Sequence, residues 1–155
     1  MFWFDRENPD VVFMDKRNEK IVLQDGREVV IRPDIVGDFR TIPFPDNSFS
    51  LVVFDPPHLL RAGEKSWLAA KYGKLEKTWK EDLRKGFNEC MRVLKTDGIL
   101  IFKWSEDQIS TADVLKINPE NRLWESEGKA IFLVFNERRQ TLKTRHKGRP
   151  SCNGA

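Results

Sequence analysis

Short apolar runs, each followed by an acid, organise the first third of this chain. Val11-Val12-Phe13-Met14 ends at Asp15, Ile35-Val36 leads to Asp38, and Leu51-Val52-Val53-Phe54 ends at Asp55. Continuous apolar stretches of this length suit strands buried in a parallel sheet. Between the first two, Ile21 to Leu23 and Glu28 to Ile31 flank Asp25-Gly26, a strong hairpin signal. Over residues 80–95, Leu83, Phe87, Met91 and Leu94 recur at helical spacing with Cys90 beside them, which predicts a helix with one apolar face. Asp97-Gly98 marks its expected end, and Ile99-Leu100-Ile101-Phe102 is the next predicted strand. A second hairpin is expected from Leu123-Trp124 and Ala130 to Phe135 around Glu127-Gly128. Three acids after three apolar runs give the rhythm of an α/β, doubly wound, mostly parallel sheet whose ligand edge carries carboxylates.

Composition narrows this only slightly. At 155 residues the chain is long enough for one domain with a sizeable core. Its apolar runs fall well short of the roughly 20 residues of a membrane span, and no basic-then-apolar leader opens it, so no membrane and a cytoplasmic location are expected. Two distant cysteines and two histidines without paired spacing argue against a disulfide framework or structural zinc, and Cys90 is expected in the core. The net charge of +3 is uneven. Residues 138–155 hold Arg138, Arg139, Lys143, Arg145, Lys147 and Arg149 and no acid, and removing those six leaves 21 basic against 24 acidic residues. The expected organisation is therefore a domain over residues 1–137 and a basic, disordered tail over 138–155. Such a tail is either a solvated end or a non-specific phosphate contact.

The chemistry concentrates at Asp55-Pro56-Pro57-His58. The prolines stop the strand because neither donates a ladder hydrogen bond. Ligands of open α/β sheets bind beyond the carboxyl ends of strands, which is where these four residues fall. Asp55 can accept a hydrogen bond from an amine, the Pro56 carbonyl is held by proline rigidity, and His58 offers a flat face for a base. The same Asp-Pro can equally be a structural strand terminator.

The surrounding order adds a resemblance. Gly37-Asp38-Phe39, then Pro43-Phe44-Pro45-Asp46-Asn47-Ser48-Phe49, an apolar strand, Asp-Pro-Pro, a helix and Leu94-Lys95-Thr96-Asp97-Gly98 before another apolar strand resemble the class I S-adenosylmethionine-dependent methyltransferases. Asp-Pro-Pro before an aromatic looks like the motif of their amino-methylating branch, which acts on adenine N6 or cytosine N4. From Phe2 to about Phe135 the chain also looks like the short enzymes of this kind carried by phages and prophages. The resemblance implies a Rossmann-like fold with an antiparallel hairpin at the sheet edge, S-adenosylmethionine as cofactor, and DNA as substrate. It implies that Asp15 takes the ribose hydroxyls, although Lys16 and Arg17 could pair with it instead. Asp38 and Phe39 match the adenine corner, where a solvated turn acid is the other reading of Asp38. Asp55 and Pro56 match the pair that grips the reacting amine. His58 departs from the branch, which has Tyr, Phe or Trp there, and this puts the substrate in doubt more than the reaction.

Residues 61–80 mix Arg61, Lys65, Lys71, Lys74, Lys77 and Lys80 with Trp67, Tyr72 and Trp79. Bases interleaved with aromatics suit a nucleic acid, with Lys65, Trp67, Tyr72 and His58 as candidate substrate contacts. A helix with aromatics inward and lysines outward fits the pattern equally well. The resemblance further implies a first strand and a glycine-rich loop ahead of Phe2-Trp3-Phe4-Asp5, and no Gly-x-Gly occurs in this sequence. Three expectations follow: a truncated form with weak or no cofactor affinity, a strand supplied by a partner or second copy, or a rearrangement of Phe2 to Phe4. The other functional readings are a non-catalytic remnant that binds nucleic acid, and a methyltransferase acting on a small-molecule or protein amine.

Overall fold

The computed structural model describes Asp5 and residues 7–23, 25–63, 66–117 and 130–135. The expected Leu123-Trp124 arm, Lys65, Phe2 to Phe4 and the basic tail lie outside the described residues.

The described fold is mixed α/β. Strands β1 (Met14–Asp15) and β4 (Ile35–Val36) pair in parallel, Met14 opposite Ile35 and Asp15 opposite Val36. The chain crosses between them through the antiparallel hairpin β2 (Glu19–Val22) and β3 (Glu28–Ile31), not through a helix. Gly26 turns that hairpin with φ of 80°, a conformation that glycine adopts without steric cost. Strands β5 (Phe49–Phe54), β6 (Leu94–Trp104) and β7 (Ala130–Phe135) form a second parallel sheet in that order. Helices α1 (Trp67–Tyr72) and α2 (Trp79–Val93) connect β5 to β6, and α3 (Thr111–Leu115) follows β6.

The parallel ladders β1–β4 and β5–β6–β7 agree with a mostly parallel α/β class, and no ladder joins β1 to β5 among the described residues, so these strands make three separate sheets. Ala130–Phe135, one arm of the expected edge hairpin, pairs in parallel with Ile99–Trp104, and the other arm lies outside the described residues. A smaller difference concerns Asp97-Gly98. Strand β6 starts at Leu94, directly after α2, and the turn signal is absorbed as a register irregularity. Phe49 faces Leu94, yet Leu51 faces Ile99.

Helix α2 forms as its spacing predicts and buries Leu83, Phe87, Cys90 and Val93 against β5 and β6. Phe54, Phe87 and Phe102 meet there, with centroids 5.3 Å apart for Phe54–Phe87 and 4.8 Å for Phe87–Phe102. Aromatic contacts of this kind add about 1 kcal/mol beyond area burial. Cys90 is core, as expected, and burial pushes its thiol up to about 12. Among the described residues no helix is long and apolar enough to cross a membrane.

Candidate functional site

A cavity of about 510 Å³ opens where β1 and β5 fail to meet. Met14, Asp15 and Phe39 line it from the β1–β4 side of the fold, and Phe54, Asp55 and Pro56 from the end of β5. Tyr72 and Gly73, at the end of α1, complete this rim. The volume falls within the range of small-molecule sites. Gly73 is required there: its φ is 78°, and a Cβ would stand 3.2 Å from Cγ of Pro57. The close approach seats α1 against the proline turn that carries Asp55.

Each of the three strand-end acids already has a cation. Asp15 accepts the backbone N–H of Arg17 (2.9 Å) and its Nε (3.2 Å) at Oδ1, and Nη2 at Oδ2 (3.2 Å). Arg17 goes on to donate to the carbonyls of Ala70 (2.8 Å) and Lys71 (3.4 Å), tying β1 to the last turn of α1. Asp38 repeats the geometry with Arg40: N and Nε both reach Oδ1 at 2.9 Å, and Nη2 reaches Oδ2 at 2.6 Å. The Arg40 guanidinium holds the Asp38 carboxyl below its usual range. Arg40 also donates to the nearly buried Asp82 of α2, at 3.1 Å. Asp55 takes its partner from the neighbouring strand, with Lys103 Nζ at 2.7 Å from Oδ2.

The structure thus brings Asp15, Phe39, Asp55, Pro56 and Tyr72 to one cavity. Asp38 does not line it and turns to Arg40. His58 does not line it either; its ring lies 5.8 Å from Tyr72 and 6.4 Å, edge-on, from Trp104. Burial lowers the His58 pKa below 6.5, opposed by the charges of Asp107 and Asp55 and assisted by Lys103. Trp67 stands apart on the surface, 43% exposed, with Arg27 over its ring at 5.5 Å and Lys71 at 5.9 Å. Lys71 also sits 5.0 Å over Tyr72. Sequence reasoning missed Arg40 and Lys103. The Asp-x-Arg spacing contains the signal for Arg40, whereas Lys103, 48 residues from Asp55, has none.

No family model, curated protein or solved structure matches this chain.

Proposed function

We propose that this chain is a methyltransferase of Rossmann-like type acting on an exocyclic amine, with adenine N6 in DNA as the preferred target. The observation that carries the reading is the convergence of Asp15, Phe39, Asp55 and Pro56 on one cavity of about 510 Å³. These residues come from three separate strand ends, and the resemblance names each of them for ribose, adenine or amine, while Asp38, also named for adenine, turns to Arg40 outside the cavity. S-adenosylmethionine, when bound, supplies a methyl group activated on a sulfonium. Asp15 keeps acceptor capacity beyond its bonds to Arg17, since a carboxylate has about four lone-pair sites. Phe39 supplies a ring packed edge-on against Phe54 at 5.5 Å, a firm wall for a flat ligand. Asp55 and the Pro56 carbonyl accept the two N–H bonds of an amine and so orient its lone pair. A carboxylate there also favours the positive charge that grows on nitrogen. Alanine at Asp55 is expected to cut methyl transfer to DNA about a hundredfold or more with the fold unchanged by circular dichroism. Undiminished transfer would remove the assignment.

A second reading has its own observation. The acids meant for ribose and adenine are both chelated by arginines two residues on, while Trp67, Arg27 and Lys71 form an exposed aromatic-cation cluster. That combination favours a nucleic-acid-binding remnant without cofactor affinity. Calorimetric titration of S-adenosylmethionine separates the two. Micromolar binding supports the enzyme; salt-sensitive DNA binding without cofactor binding supports the remnant.

A further inference from the structure

Asp55, just past β5, and Lys103, the penultimate residue of β6, lie side by side. Phe54 of β5 and Phe102 of β6 are register partners, with ring centroids 5.8 Å apart in the core. The residues that follow them are therefore cross-strand neighbours, close enough for opposite charges to meet. They do meet, at 2.7 Å, with the Lys103 side chain 16% exposed and that of Asp55 37% exposed. The side from which Lys103 arrives matters. Asp55 lines the large cavity, but Lys103 does not. Lys103 alternates with Phe102 and Trp104, whose rings stack in the core, so its side chain leaves the opposite face of the sheet, where it meets Asp55. Asp55 is thus shared between the cavity that it lines and the lysine that holds its Oδ2.

This arrangement competes with simple capture of an amine, because an amine that reaches Asp55 meets a carboxylate whose Oδ2 Lys103 already holds. The ammonium is a charge-assisted donor, and such bonds are shorter and roughly twice as strong as those from a neutral amine. We propose that Lys103 is a specificity-determining latch on Asp55, with which a substrate amine must compete for the carboxylate. The inference rests on the amine-gripping reading of Asp55. In the free protein the latch keeps the carboxylate oriented and satisfied. In binding it subtracts from the affinity of every amine, so that only a ligand with further contacts can open it.

The test compares 2′-deoxyadenosine with its analogue carrying hydrogen in place of the 6-amino group, titrated by NMR into the full chain. Wild type, Lys103→Met and Lys103→Arg are measured. Methionine keeps the length of the stem and removes the charge, and arginine keeps the charge. The latch predicts that Lys103→Met binds deoxyadenosine about tenfold more tightly than wild type, a shift of about 1.4 kcal/mol. The amine-free analogue should bind all three proteins equally, and Lys103→Arg should remain near wild type. A purely structural role would change both ligands together. Weaker or unchanged deoxyadenosine binding in Lys103→Met overturns the latch and leaves the amine site standing. No binding of either nucleoside to any of the three proteins overturns the amine site, and the latch with it.

Discussion

Outside helices, an aspartate two residues before an arginine closes on that arginine at Asp15–Arg17, Asp25–Arg27 and Asp38–Arg40, whereas in α2 the same spacing at Asp82–Arg84 does not, Arg84 donating to Glu81 instead. In each of the three closed pairs, the carboxylate accepts the backbone N–H and the guanidinium of the same residue. At the exposed Asp25 the pairing finishes a hairpin turn. At Asp38 it extends into α2, where Thr78 and Arg40 both donate to Asp82. Burial opposes ionisation of Asp82, but those two donors outweigh it and hold the carboxyl below its usual range. Arg40→Met is expected to cost about 2 kcal/mol in a denaturant titration, because it leaves a nearly buried carboxylate with one partner fewer. His58 makes the opposite kind of prediction. Its folded pKa lies below 6.5, so the unfolded chain binds its proton first as pH falls. Wild type should therefore lose more stability than His58→Phe on acidification from neutral pH through 6.5 and down past the folded pKa. Equal losses would mean that the imidazole is not held neutral. The Asp15–Arg17 pair was legible in the sequence as an alternative partner for the acid, whereas the same spacing at Asp38 did not reveal Arg40, because spacing alone fails at Asp82–Arg84. The Asp55–Lys103 pair was not legible, because only strand register makes those residues neighbours.

Packing between elements decides whether the cavity keeps its shape. Gly86 lets α2 come close to the sheet; a Cβ there would fall 2.7 Å from the rings of both Phe39 and Phe54. Phe54 is buried in the core, and Phe39 packs against it as a wall of the cavity. Gly86→Ala gains about 1 kcal/mol of helix propensity but overpacks two rings, a cost of about 1–3 kcal/mol. We expect a lower melting temperature together with weaker ligand binding, since Phe39 is the ring that must move. On the same helix, Arg92 clamps the loop before β5, donating to the carbonyls of Ile42 (2.9 Å) and Phe44 (2.8 Å) and to Asp46 (2.8 Å). Ile42 and Phe44 also line the cavity, so Arg92→Met should weaken ligand binding without touching the ligand. Helix α2 was legible because its apolar positions recur at 3.6 residues, and the β2–β3 hairpin because Asp25-Gly26 permits little else. The start of β6 was not legible: Asp97-Gly98 is a turn signal that the sheet tolerates as an irregular register. The hairpin crossover between β1 and β4 was visible as a hairpin, but not as the crossover of a parallel pair.

For the molecule as a whole, the notable feature is the unjoined border between β1 and β5. In a parallel strand, successive residues turn their backbone groups alternately to one neighbour and to the other. Strand β5 has β6 on one side and the cavity on the other, so every second amide from Phe49 to Phe54 is without a ladder partner among the described residues. Hydrogen exchange should record this as a two-residue beat along β5, with slow amides that bond to β6 alternating with amides that exchange orders of magnitude faster. Small ligands that fill the cavity without pairing with the backbone leave that beat intact, whereas an inserted extended chain erases it. Strand β5 thus carries a built-in gauge of what occupies its open side, and mass spectrometry or NMR can read it before any ligand has been identified.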